Sequence, residues 1–322
     1  MSVLVYTESE NGKLKKAAFE VASFAKGIAD LMGTSVTAVT INAESVDELK
    51  TYGVERVLKV SHDKLSKFNA DAYAEVITQA SNKEDSKVIV ISQSANAKYL
   101  APLLSVNLNA GYASNVVALP KTDGEFTVER TAFTNKAFNM TSISTDVKLL
   151  GLSSNAFGLK ENEVSLSEEE FSPELSDENF KIDVESVDKN KDKVSIADAE
   201  VVVSAGRGMK GPENWGMIEE LADVLGAATA CSKPVSDMGW RSHGEHVGQT
   251  GKPVATNLYI AIGISGAIQH LAGISASKNK VVINTDPEAP FFKAADYGIV
   301  GDAFEVVPQL IEKLKEFKAN NS

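Results

Sequence analysis

Leu258-Tyr259-Ile260-Ala261-Ile262-Gly263-Ile264 runs without interruption into Ser265-Gly266-Ala267-Ile268-Gln269-His270-Leu271-Ala272-Gly273. An unbroken apolar run of this kind reads as a strand covered on both faces. The small residues that follow it at once open a helix. A strand that turns straight into a helix is the repeating unit of a parallel sheet, because parallel neighbours need a crossover. The first turn of such a helix also suits phosphate, through free N–H groups and the dipole. Ser265 stands where a nucleophilic serine would stand on a strand–helix elbow. That chemistry needs a histidine later in the chain, and the last one, His270, lies five residues on in the same helix. A hydrolase is therefore disfavoured.

The same alternation extends outward in both directions. Residues 200–204, 280–285 and 297–300 read as strands, 213–228 as a helix, and 307–317 as a closing amphipathic helix. In the first half, 3–6, 36–41, 57–60 and 87–92 read as strands, with helical patterns over 17–28 and 70–80. Residues 126–147, rich in Thr, Phe and Val, are expected to add edge strands. Residues 161–193 differ. They hold Glu168-Glu169-Glu170, then Phe180, Ile182 and Val184 alternating with charged residues as one half-wet strand, and last the run Asp188-Lys189-Asn190-Lys191-Asp192-Lys193. That run is read as a domain boundary, with a solvated loop as the alternative. The expected class is α/β with two domains: residues 1–190 an open, mostly parallel sheet with helices, and residues 198–322 a doubly wound domain.

Composition bounds the function. At roughly 150 residues per domain, the 322 residues give two domains, and 43% hydrophobic content supports a sizeable core. Lys plus Arg is 32 against 44 for Asp plus Glu, a net charge of −12, which disfavours nucleic acid and anionic membranes as partners. The lone Cys231 forms no internal disulfide and no thiolate cluster, and reads as a small buried side chain. No metal site is expected. No apolar run is long enough to span a bilayer and the first residues carry no targeting pattern, so membrane insertion is not expected and a cytoplasmic location is.

Polar and glycine-rich segments of the second half follow its strands, at the edge where open parallel sheets bind ligands. Gly206-Arg207-Gly208-Met209-Lys210-Gly211 matches G-x-G-x-x-G after a strand, but Pro212 interrupts the helix such a site needs and no carboxylate ends the next strand. Arg207 is placed to clamp a phosphate. The alternative is a tight turn with a solvated arginine. Val247-Gly248-Gln249-Thr250-Gly251-Lys252 hints at a P-loop and fails, with His246 in place of its first glycine and Pro253 in place of its final Ser or Thr. Its glycines suit a backbone turn pressed against a flat ligand. Asn284 and Asp302 end strands. Either could hold sugar hydroxyls, and either could simply cap a turn or helix.

Taken together, Ser204 to Lys210, Ser232-Lys233-Pro234-Val235, Val247 to Lys252, Ser265-Gly266-Ala267-Ile268-Gln269-His270-Leu271-Ala272-Gly273 and Asp286-Pro287-Glu288-Ala289-Pro290 closely resemble the FAD domain of electron transfer flavoprotein alpha subunits over about residues 200–312. The first half resembles the same subunit less sharply, in its opening strand and Gly12-Lys13-Leu14-Lys15. The resemblance implies a FAD domain of the deoxyhypusine-synthase-like type. It implies a heterodimer with a beta subunit holding AMP, and electron flow from acyl-CoA dehydrogenases to a quinone oxidoreductase, with no turnover of its own and no catalytic residue. The FAD contacts it implies are Arg207, Ser232, Lys233, Val247, Gly248, Gln249, Thr250, Ser265, Gly266, Ala267, Ile268, Gln269, His270, Asn284, Asp302 and Ala303. Thr250, Gln249 and His270 would serve the flavin and ribityl half, Ser265 to Ile268 the pyrophosphate, and Arg207, Asn284 and Asp302 the adenosine half.

Lys233 departs from the family, which carries Arg there. Lys keeps the charge that favours a reduced, more negative ring, but loses the planar fork and its stacking. FAD binding is expected to survive. Three other readings are distinguishable: a bifurcating relative, whose partner chain would carry a second FAD; a free-standing NAD(P)-dependent oxidoreductase, which would bind NADH tightly without flavin; and a redox-inert nucleotide scaffold, which would be colourless. Electron transfer needs close approach, and the charged run before Ala199 is read as the hinge of a mobile FAD domain. Shortening it should slow electron transfer in stopped-flow assays while FAD content stays unchanged; unaltered transfer would count against the hinge.

Overall fold

The computed structural model describes residues 2–133, 135–187, 196 and 199–321. The run Asp188 to Lys193, read above as boundary and hinge, lies outside the described residues. The chain divides into two compact units, Met1–Ala132 with Phe138–Asp188, and Phe133–Ala137 with Lys189–Ser322.

The first unit is built on β1 (Ser2–Tyr6), a short ribbon of β2 (Ser9–Glu10) and β3 (Lys13–Leu14), α1 (Lys16–Met32), β4 (Ser35–Ile41), β5 (Arg56–Val60), α2 (Ala70–Glu84), β6 (Val88–Ser92), α3 (Ala97–Asn107), β7 (Gly111–Val116), β8 (Thr127–Ala132), β9 (Ala137–Ser142), β10 (Lys148–Leu152) and β11 (Ser167–Glu170). Nine of these strands form one sheet in the order β11-β5-β4-β1-β6-β10-β7-β8-β9. Its interior is parallel, and β8 turns antiparallel to β7 where residues 126–147 were expected to form an edge. Phe24 and Ile28 of α1 pack with Val3, Val36 and Val88 on one face of the sheet. Ile77 of α2 and Leu100 of α3 pack with Leu4, Leu58 and Ile89 on the other. The alternation of buried residues along β1 sends successive side chains to opposite cores, which is why its whole run is apolar. The Asn69 side chain caps α2 by accepting from Asp71 and Ala72 N–H, and Gly33 closes α1 in the left-handed conformation.

One expectation for residues 161–193 is corrected. The three glutamates, to which the sequence assigned no element, form the edge strand β11, parallel to β5, where two of them find cations: Lys59 Nζ lies 3.2 Å from Glu168, and Glu169 pairs with Lys83 at 3.0 Å and with Arg56. Residues 180–184 do not form a strand. Asp177–Phe180 is a short 3-10 turn, and the carbonyls after it accept from side chains instead of a neighbouring strand: Asn69 Nδ2 donates to Ile182 at 2.9 Å and Lys67 Nζ to Val184 at 2.6 Å. Once the backbone is satisfied locally, the alternation has no ladder to join.

The second unit is built on β12 (Val201–Ala205), α4 (Gly216–Leu225), β13 (Ala228–Cys231), α5 (Lys233–Asp237), β14 (Leu258–Ile262), α6 (Ile268–Gly273), β15 (Asn279–Asn284), β16 (Tyr297–Val300) and α7 (Ala303–Asn320). Its sheet is fully parallel, in the order β13-β12-β14-β15-β16. The order reverses between β12 and β14, so the loops leaving those two strands flank the switch point. Ile218 and Leu221 of α4 and Val307 and Ile311 of α7 cover one face. Val247, Ile264, Ile274 and Phe291 cover the other, around the side chain of Tyr259. The helix expected over 213–228 is shorter, because Pro212–Asn214 is a 3-10 turn and Gly226 ends α4 in the left-handed conformation. Among the described residues no helix is long and apolar enough to cross a membrane.

Phe24 is fully buried and packs edge-on against Phe157 at 5.2 Å between ring centres. Phe24→Ala should destabilise the first unit by about 3–5 kcal/mol, read as a lower urea midpoint at unchanged m-value.

Candidate flavin site

Every sequence-predicted site residue lies in the second unit: most are in the loops and helix starts that leave the carboxyl ends of its parallel strands, Asn284 ends β15, and Val247 to Thr250 lie in a turn after α5. The loop after β12 and the loop after β14 meet backbone to backbone. Gly206 N–H donates to Ile262 O at 2.9 Å and Gly208 N–H to Gly263 O at 3.1 Å. A side chain on Gly263 would start 2.7 Å from Gly208 Cα, and its φ of +60° lies in the left-handed region. Both facts require glycine. The G-x-G-x-x-G match is thus used for loop–loop packing rather than to open a long helix: Arg207–Met209 is a 3-10 turn with Arg207 exposed.

The second feature is the turn at 247–252, held from two sides. Val247 N–H donates to Cys231 O at the end of β13, at 3.0 Å. Gln249 N–H donates to Gln269 O, and Val254 N–H to Gly273 O, both at 2.8 Å, which ties the turn to α6. Val247 and Gly248 are buried while Gln249 and Thr250 are exposed, so the turn presents two polar side chains from a rigid base. Ser232 precedes α5 from a buried position, and Lys233 is exposed, its Nζ 2.9 Å from Asp237. That ammonium holds the Asp237 carboxyl below the usual range.

The turn after β14 is tighter than the expected helix start. Helix α6 begins only at Ile268, so Ser265, Gly266 and Ala267 form a connecting turn, and Ser265 and His270 do not share a helix. At Gly266 φ is +87°, and a Cβ there would lie 2.5 Å from Phe291 N. Phe291 N–H donates to Ser265 O at 3.0 Å and fixes the turn. Ser265, Ala267, Ile268 and Gln269 face outward, whereas His270 points inward.

His270 is buried. Its Nε2 lies 2.9 Å from the Tyr259 hydroxyl, and its Nδ1 has no hydrogen-bond partner of good geometry. Burial, with His246 nearby, pushes its pKa down to about 4, and the Val247 backbone offsets only part of this. His246 is lowered as well, by burial and by Lys233. Cys231 is buried, and its thiol is pushed up to about 12 by burial first and then by Glu245, so it is an inert small side chain.

Asn284 and Asp302 do what the simpler reading required. Asn284 Nδ2 donates to Ile264 O at 3.1 Å and its Oδ1 accepts from Asp286 N–H. Asp302 Oδ1 accepts from Phe304 N–H and caps α7 directly before Ala303, which is buried. Its Oδ2 lies 3.7 Å from Lys210, a residue the sequence reading left out. Tyr259 and Phe291 were also missed. Their rings stack at 6.5 Å beneath His270, and the one signal in the sequence was a hydroxyl-bearing aromatic inside an otherwise aliphatic strand. Among the described residues, no group of three or more His, Cys, Asp or Glu could hold a metal ion.

Comparison with known proteins places the chain in a family. Residues 195–275 match the electron transfer flavoprotein FAD-binding domain, and residues 3–179 match the electron transfer flavoprotein domain. The electron transfer flavoprotein subunit alpha of Bacillus subtilis (strain 168) is 36% identical, covering 99% of both chains. That of Thermoanaerobacterium thermosaccharolyticum is 35% identical, covering 98% of both. Protein FixB of Clostridium saccharobutylicum is 32% identical over 98% of this chain and 96% of its own.

The unfolded His270 takes a proton near pH 6.5 and the folded one only near 4. The unfolded state therefore binds more protons between those values, and stability falls as pH drops through that window. The loss should be on the order of 3 kcal/mol at most, visible in urea titrations from pH 7 to 4. His270→Asn should flatten that dependence.

Proposed function

The chain belongs to the electron transfer flavoprotein alpha-subunit family, and on that premise we propose that it is the FAD-carrying alpha subunit of a heterodimeric electron transfer flavoprotein. It is an electron carrier, not an enzyme with a substrate of its own. The observation that carries the cofactor assignment is the 247–252 turn, held by backbone hydrogen bonds to β13 and α6 with Gln249 and Thr250 exposed above buried His270.

The residues fit a flavin dinucleotide. Arg207, on the 3-10 turn after β12, and Lys233, the first residue of α5 after β13, supply exposed cations at one sheet edge. The buried Nδ1 of His270 is a polar atom without a partner. Bound FAD supplies the redox chemistry, accepting and releasing electrons, while the protein sets orientation and electrostatics.

In this proposal Ser232, Lys233, Val247, Gly248, Gln249, Thr250, Gln269 and His270 hold the flavin and ribityl half. Ser265, Gly266, Ala267 and Ile268 meet the pyrophosphate. Helix α6 is only six residues long, so local amide groups rather than a large macrodipole would serve that contact. Arg207, Asn284, Asp302 and Ala303 hold the phosphate and adenosine half. Capping uses one carboxylate oxygen of Asp302, and the other, 3.7 Å from Lys210, is the one that would meet a sugar hydroxyl. Lys233 sets a positive charge that favours electron gain nearby, moderated by its pairing with Asp237.

The partners belong to the proposal too: a beta subunit holding AMP, acyl-CoA dehydrogenases as donors and a quinone oxidoreductase as acceptor, in the cytoplasm. The domain division at residues 1–190 and 198–322, with the first part as scaffold and beta-subunit interface, is proposed on the same footing. The kinship with a FixB protein leaves room for other electron routes.

Co-expressed with the neighbouring beta subunit, the protein should be yellow and release about one FAD per heterodimer on denaturation. A colourless complex that added FAD cannot reconstitute would overturn the assignment.

A further inference from the structure

Tyr259 is the one polar side chain on β14, and it is fully buried. Its strand neighbours Leu258, Ile260 and Ile262 are aliphatic, so packing alone would be met by Phe. A buried tyrosine hydroxyl needs a partner, and this one lies 2.9 Å from His270 Nε2. The contact is braced on every side. The Tyr259 and His270 rings meet at 6.0 Å, Phe291 stacks on Tyr259 at 6.5 Å and tilts onto His270 at 6.0 Å. Ser204 Oγ sits beside the same hydroxyl, outside good hydrogen-bond geometry.

The other ring nitrogen, Nδ1, has no hydrogen-bond partner of good geometry, so the choice between two arrangements rests on the tyrosine. With Nε2–H donating to the tyrosine oxygen, the phenol's own hydrogen has no acceptor, because Ser204 Oγ lies outside good geometry, and both that donor and Nδ1 are left unpaired. With the tyrosine donating to Nε2, its hydrogen is satisfied and the ring proton sits on Nδ1, which leaves one unpaired group instead of two. Tyr259 keeps its own proton, because burial raises its pKa far above the usual phenol value.

We propose that Tyr259 is a positioning residue for the flavin site, whose hydroxyl donates to His270 Nε2 and so fixes that ring as the Nδ1–H tautomer beneath the 247–252 turn. This rests on the flavin reading given above. The consequence is a neutral donor of fixed direction at the base of the turn, with no full positive charge added there. Positive charge near the turn then comes from lysines such as Lys233 and Lys252, and not from His270.

The chain has four histidines, so nitrogen NMR of the histidine-labelled heterodimer is tractable. The His270 signals are assigned by their loss in His270→Gln. The expected native result is a neutral ring with its proton on Nδ1 from pH 6 to 8. In Tyr259→Phe, which keeps the ring stack, the signals should move toward the Nε2–H tautomer or a mixture. FAD dissociation should rise about 3–10-fold, the scale of one net hydrogen bond. In Ser204→Ala, which leaves the Tyr259–His270 contact intact, the tautomer should not change. A native ring with its proton on Nε2, or an unchanged Nδ1–H ring in Tyr259→Phe, would overturn the proposal. Should Tyr259→Phe fail to fold, the native tautomer alone decides. The two readings fail separately: a yellow protein with an Nε2–H ring sinks the role of Tyr259 and spares the flavin, while a colourless protein with an Nδ1–H ring does the reverse.

Discussion

The site depends on the close backbone approach between the loops that leave β12 and β14. Parallel pairing carries the two strands side by side to their carboxyl ends, where the hydrogen-bond ladder continues into the loops through Gly206, Gly208 and Gly263. Side chains on both loops would hold them apart, so the switch point would open and the turn at 265–267 would lose its seat. A residue with a Cβ at Gly263 would meet the steric wall of Gly208 and a left-handed backbone at once, a strain of roughly 1–3 kcal/mol from the backbone alone. The same economy of side chains recurs at Gly266 against Phe291. Small residues are concentrated here because three strand ends and two turns converge within hydrogen-bonding distance.

That convergence engages polar side chains with backbone. Asn284 uses both of its polar atoms to tie down the loops, and Asp302 caps α7 with one oxygen and faces Lys210 with the other. The buried contact of Tyr259 with His270 engages one ring nitrogen and leaves the other without a partner. Keeping His270 inside has an energetic consequence, since burial holds the ring neutral and opposes folding once the unfolded chain is protonated.

Electrostatics around the turn follow from these placements. His246 and His270 are both held toward their neutral forms, and the charges that act on His246 include Lys233 and Asp237. They pair across one turn of α5, where solvent screens them. A lysine in that position keeps its charge as a flexible point rather than a planar fork.

The sequence by itself determined the strand–helix alternation, the parallel class and the loops that carry the site, because periodicity and glycine placement are local properties of the chain. It also named Lys233, Gln249, Thr250 and His270 through the motifs around them. It gave no element for residues 167–170, because whether a charged run becomes an edge strand depends on cations from distant elements, Lys59 and Lys83 among them, and it misjudged 180–184, whose carbonyls are taken by the side chains of Lys67 and Asn69. Only the tertiary structure decided that His270 faces inward, that Tyr259 and Phe291 pack beneath it, and that Lys210 reaches Asp302. Those facts are contacts between segments far apart in the chain, and spacing along one segment carries no information about what the fold will set against it.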